Sequence, residues 1–228
     1  MNPTLVALFW ALATLAVYAA ARRLSEWRRR WWTSPLLVTW VVCGLLILAR
    51  RSSYAEYLSG TSWLVALLGP ATISFALPIH RNRAVIQRHW PILAVGVATG
   101  CAIAVGSAWV LAQALDLPPG LRASLLPRSI TTPLAMASSA RLGGVPELTA
   151  TFTAITGLFG AAVGDVLLAV LPLRTSFARG ALFGMGAHGA GVARARELGA
   201  EEGAIAGLIM ILAGLTTVVG VAVVTARW

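Results

Sequence analysis

The sequence predicts an all-α, polytopic membrane protein with about six full spans and two interrupted, re-entrant helical segments. Three observations lead there. Hydrophobic residues make up 58% of the 228-residue chain and charged residues only 11%, too few to cover a soluble globule of this size. Apolar runs of about 18 to 25 residues, long enough to cross a bilayer, recur along the chain. Helix breakers and polar side chains concentrate in two later segments, where lipid would penalise every unpaired polar group.

The net charge of +10 has a topological reading. All 18 basic residues are arginine, and they gather between the apolar runs, as the positive-inside rule and anionic headgroups require. No aromatic-basic groove or recognition helix accompanies them, so nucleic acid is not the expected partner.

Taken in order, Pro3–Ala21 is the first expected span. It ends at Arg22, Arg23, Arg28, Arg29 and Arg30, flanked by Trp27, Trp31 and Trp32 at headgroup level. This cluster places the first connection in the cytoplasm and the N-terminus outside. Because the basic cluster follows the apolar run, the run is expected to stay as a span instead of being cleaved. Ser34–Ala49 returns and stops at Arg50 and Arg51, which fit the outer side less well. Thr61–Ile79 contains LLGPATISFALP, where Gly69 and Pro70 interrupt the run and, with Thr72, are expected to support a broken helix.

His80, Arg81, Arg83, Arg88, His89 and Trp90 form a second cytoplasmic basic connection. Pro91–Leu115 crosses outward, with Gly96 and Gly100 as a small-xxx-small face, and Asp116, Pro118, Pro119 and Gly120 make an outer turn. Ser124–Arg141 is too short and too polar for an independent span, and Gly143, Gly144 and Pro146 break the chain after it. A re-entrant segment fits both facts. Leu148–Leu171 is a full span with Gly157, Gly160 and Gly164 along one face. After a cytoplasmic connection with Arg174 and Arg179, a second interrupted segment runs from Ala178 to about Gly199, and Ala204–Ala226 closes the chain. This topology puts twelve of the 18 arginines on the cytoplasmic side. The whole is expected to be one integral domain of the inner or plasma membrane, its first 53 residues the less characteristic part.

The chemistry is expected in the two interrupted segments. Arg128, Ser129, Thr131, Thr132 and Pro133 fall together. A half-helix starting there would aim free backbone N–H groups and its positive dipole end at an anion. An arginine fork alongside suits a carboxylate, so the set points to a small organic anion. The competing reading is an arginine snorkelling to the headgroups, with hydroxyls bonded to their own helix.

His188 sits in GMGAHGAG, where glycines allow close approach. It either contacts substrate or carries a proton, or it is a buried imidazole bonded to a neighbouring helix, and the sequence leaves both open. Gly191 and Arg194 follow in the same segment, and Arg194 is the basic residue nearest the glycine-rich turn. Arg194, Arg196, Glu197, Glu201 and Glu202 read as a helix end held by ion pairs, and Asp165 as an acid near the inner end of a span that could carry a proton or pair with Arg174. Cys43 and Cys101 read as small buried hydrophobes. Metal-ligand spacing, phosphate loops and GxSxG elbows do not occur, so neither a cofactor, a metal nor an enzymatic activity is expected.

LLGPATISFALP, SLLPRSITTPLAM, GGVPELTATFTAITGLFGAAVG and ARGALFGMGAHGAGVARARELGAEEGA together resemble the signature blocks of the LrgB/CidB family of bacterial membrane proteins, from about Tyr54 to the C-terminus. The resemblance implies a smaller holin-like partner of the LrgA/CidA type. It also implies two activities: modulation of murein hydrolase activity and lysis, as an antiholin-like regulator, or transport of small carboxylates such as pyruvate, or glycolate and glycerate in the related plastid translocator. The matching positions are Arg128, Ser129, Thr131, Thr132 and Pro133, then His188, Gly191 and Arg194. The chain departs from the pattern at Val192, where threonine is usual, and at Asp165, where an uncharged residue is expected. A homo-oligomer is compatible with the sequence. Leu67–Pro78 and Leu125–Met136 echo one another in their leucines, prolines and hydroxyls, in the manner of the repeated halves of many transporters.

Overall fold

Proline placement explains many of the helix boundaries. A proline in the first turn of a helix loses nothing, because the N–H it lacks would have no intrahelical partner. Pro35, Pro119 and Pro146 open their helices, Pro133 is the second residue of its helix, and Pro70 and Pro78 are the third residues of theirs. The computed structural model describes residues 3–28 and 31–226, all the regular structure of which is helical. Arg29 and Arg30 of the first basic cluster, and the side chain of Trp31, lie outside the described residues.

The chain forms two compact units, Met1–Ala71 and Thr72–Trp228. In the first, α1 (Pro3–Arg28) packs against α2 (Pro35–Ala49) and α3 (Tyr54–Ala66). Gly60 of α3 lies against the Ala7 carbonyl and Trp10, where a side chain would not fit. The Trp10 and Tyr57 rings meet edge to face at 5.4 Å, a favoured aromatic geometry. A capping box of Ser53 and Glu56 starts α3.

The span expected over Thr61–Ile79 is divided among three helices: α3, α4 (Leu68–Ile73) and α5 (Ala76–Arg81). Gly69 and Pro70 are exposed, with open space where a Gly69 side chain would be. Thr72 begins the second unit, and Phe75 packs in that unit on the cluster of Ile130, Leu134 and Ala135.

The second unit continues with α6 (Arg83–Ala114), α7 (Pro119–Leu125), α8 (Thr132–Arg141), α9 (Pro146–Val170), α10 (Ser176–Gly186), α11 (His188–Leu198) and α12 (Ala200–Thr225). The helix expected from Pro91 starts at Arg83 and kinks at His89 (φ −116°, ψ 17°), because the Pro91 ring clashes with the preceding turn and lacks an N–H. The first interrupted segment starts at Pro119, earlier than Ser124, so Pro119 and Gly120 belong to a helix instead of a turn.

Helix α12 is the centre of this unit. Its Ile205, Ile209 and Ala213 pack on Leu93, Val97 and Cys101 of α6, and it also meets α10, α11 and α8. Four helices, α1, α6, α9 and α12, are long and apolar enough to cross a membrane, and α2 is a shorter apolar helix. Their outward faces carry exposed side chains such as Leu5, Ile92, Ile103, Phe159 and Val166, as contact with lipid requires. The protein is a multi-pass helical membrane protein.

Candidate functional site

Two helical hairpins build the site. In the first, α7 and α8 are joined by residues 126–131. Its two ends meet: a side chain on Gly144 would strike Ser139 and the backbone of Ala123 and Ser124. Ser124 fastens this end to α9. The Val145 N–H donates to Ser124 Oγ (2.7 Å), the Thr149 hydroxyl donates to the Ser124 carbonyl (3.0 Å), and Ser124 itself donates to the Gly120 carbonyl (2.7 Å). The hairpin therefore enters beside the start of α9.

The second hairpin is α10 and α11, turning at Ala187 and His188. The legs fold back on each other so tightly that Gly191 sits on the Phe183 carbonyl. Ser176 follows soon after the end of α9, so this hairpin adjoins the opposite end of α9 to the first. Its legs pack through glycine: Gly157, Gly160 and Gly164 of α9 lie against Ala187, Gly186 and Phe183, and Gly184 lies against Ala206 of α12. The glycine face read from the sequence of α9 is thus the seat of the second hairpin.

Both tips lie beside the middle of long apolar helices. Arg128 Nη1 donates to Thr156 Oγ1 (3.3 Å), and a side chain on Gly157 would be 3.5 Å from His188 Nδ1, both positions near the middle of the 25-residue α9. Thr131 lies over Gly214, near the middle of α12. Thr156 and Gly157 are adjacent on α9, so the residues they touch, Arg128 and His188, are neighbours. The structure therefore brings Arg128 and His188 together.

Polar atoms at these tips are buried and unpaired. Arg128 Nε, Thr131 Oγ1 and His188 Nε2 have no hydrogen-bond partner. Thr131 is the N-cap of α8, a position where threonine ordinarily caps its own helix, yet its hydroxyl makes no capping bond. The first N–H groups of α8 are left to other acceptors. His188 opens α11 in the left-handed backbone region (φ 42°), strained for a residue with a side chain and characteristic of functional positions. The tips thus place unpaired buried polar atoms and a guanidinium beside the N-termini of α8 and α11.

The remaining expected residues are placed as follows. Pro133 fixes the first turn of α8, and Thr132 precedes it, half-buried. Ser129 also lines a crevice with Cys101, Pro127, Ile130 and Thr217 that is too narrow to admit water. Gly191 serves the hairpin crossing. Arg194 lies near the far end of α11, where its Nε donates to Asp165 (2.7 Å) and its Nη1 to Glu197 (2.6 Å). Its engaged donors thus hold the leg of the hairpin. The partner of Asp165 is Arg194 and not Arg174, because α11 folds back along α9. Arg179 at the other leg donates to Glu202 through Nε (3.1 Å) and Nη2 (2.6 Å). Thr156 and Ser124 escaped the sequence reading; each is one hydroxyl among many in an apolar helix, and only the fold gives it a partner.

Comparison with known proteins bears on the same region. Residues 14–226 match the LrgB-like family, reaching upstream of the signature blocks. The chain is 39% identical over 204 residues to "Uncharacterized protein YwbG" of Bacillus subtilis, covering 90% of this chain and 91% of that one. It is 31% identical over 212 residues to "Holin-like protein CidB" of Staphylococcus aureus, covering 93% of each. No solved structure matches.

Proposed function

The chain belongs to the LrgB-like family, and from that premise we propose that it transports small organic carboxylates, of the pyruvate, glycolate and glycerate class, across the cell membrane. The observation that carries the reading is the meeting of two hairpins, joined to opposite ends of α9, beside its middle, with Arg128 Nε, Thr131 Oγ1 and His188 Nε2 buried and unpaired. Broken helices whose tips meet near the midplane are the usual plan of secondary transporters, because free N–H groups there can replace the water around an anion. Thr156 holds one edge of the Arg128 guanidinium and leaves Nε for the carboxylate. Ser129, Thr131 and Thr132 add hydroxyls, and His188 adds an imidazole. Pro133 and Gly191 keep the two tips in place, and Arg194 acts from the leg. In this reading the N-terminus is outside and a small LrgA/CidA-type membrane protein is the partner.

The test is uptake of labelled pyruvate, glycolate and glycerate by proteoliposomes, with and without a small holin-like partner. Saturable uptake is expected for wild type. Arg128→Ala is expected to lower it about a hundredfold, the scale of removing one partner from a buried charged contact, while the elution profile in detergent is unchanged. No carboxylate flux by wild type with the partner present would sink the proposal in favour of an antiholin-like regulator. Lysis control that survives Arg128→Ala would point the same way.

A further inference from the structure

We propose that the groove between α5 and the start of α6 binds a single anionic phospholipid. The groove measures about 430 Å³ and is lined by Ala76, Ile79, His80, Arg83, Ile86 and Gln87. Ala76, Ile79 and Ile86 line it with hydrocarbon, and His80, Arg83 and Gln87 add an imidazole, a guanidinium and an amide. That combination suits an acyl chain and a phosphate.

Charge commits the occupant. Arg81, Arg83 and Arg88 are exposed, and none of them is in an ion pair among the described residues. No Asp or Glu occurs between Glu56 and Asp116. The basic groups are therefore unopposed along their own stretch of chain. Depth commits it further. The groove lies where α6 enters its apolar span, and Trp90, 63% exposed just past the His89 kink, marks the headgroup level favoured by indoles. A free phosphate would use the polar groups and leave the apolar lining empty, whereas a phospholipid uses both. The site is separate from the hairpin tips and does not rest on the transport reading.

Native mass spectrometry of the full chain in detergent, with phosphatidylglycerol and phosphatidylcholine as probes, tests this. Wild type is expected to retain one phosphatidylglycerol in preference to phosphatidylcholine. Arg83→Gln should lower that retention about fivefold, the effect of one arginine near an anionic surface. Ala76→Trp fills the exposed groove without changing charge and should lower it comparably. Arg23→Gln, an exposed arginine of α1, should leave it unchanged. Equal retention of the two lipids, indifference to Ala76→Trp, an equal loss in Arg23→Gln, or displacement by inorganic phosphate would each overturn the proposal.

Discussion

The two hairpins have similar shapes and are fastened by different forces. The first is held beside the start of α9 by neutral groups, the Ser124 hydroxyl and carbonyl, with Ser124 and Thr149 fully buried. The second is held by glycine packing along its length and by partly exposed ion pairs at its feet, Arg179 with Glu202 of α12 and Arg194 with Asp165 of α9. Buried neutral hydrogen bonds do not respond to salt, whereas partly exposed ion pairs are screened and compete with water. The second hairpin is therefore the one whose feet can be released while its tip stays packed.

The largest expected effect breaks that packing. In Gly160→Val the new side chain meets the Gly186 carbonyl, which is backbone and cannot swing aside. A loss of about 3 kcal/mol or more is expected, read as a large fall in melting temperature in detergent. Gly96→Ala is the control, because open space surrounds Gly96. A Gly160→Val protein that melts like wild type would show that the second hairpin does not rest on α9.

A smaller effect is expected on the first hairpin. Ser124→Ala leaves the Val145 N–H without its acceptor and removes the bond to the Gly120 carbonyl, at a cost of about 1–3 kcal/mol. Hydrogen exchange should rise across residues 119–149 and stay unchanged across α10 and α11. A rise in both hairpins would show that they do not open independently.

These contrasts also mark what the sequence made legible. Spans, interruptions and the glycine face of α9 were readable because each depends on local spacing: apolar length, proline in a first turn, glycine every three or four residues. Arg128 and His188 stood out because polar groups at membrane depth demand a reason. Their partners were not readable. Thr156 lies 28 positions from Arg128, and Asp165 lies 29 from Arg194, so only the return of each hairpin along α9 pairs them. The start at Pro119 was hidden by the same chemistry, since Pro-Pro-Gly serves a turn or a first helical turn equally well.

The smallest expected effect sharpens the comparison most. Asp165→Asn removes one of the two carboxylates on Arg194 and leaves Glu197 as its remaining partner. Both side chains of the Asp165 pair are 32% exposed, so a change of about 0.5 kcal/mol is expected, near the limit of a melting measurement. The informative readout is its salt dependence. In wild type, hydrogen exchange in α11 should rise from low to high ionic strength as the Arg194 pairs are screened. In Asp165→Asn it should start higher and rise less, because one of the screened pairs is already gone. Exchange in α7 and α8 should follow neither the substitution nor the salt. An equal salt response in the variant and the wild type would mean that the Asp165 pair does not hold the foot of the second hairpin. The distinction between the two fastenings would then rest on Arg179 and Glu202 alone.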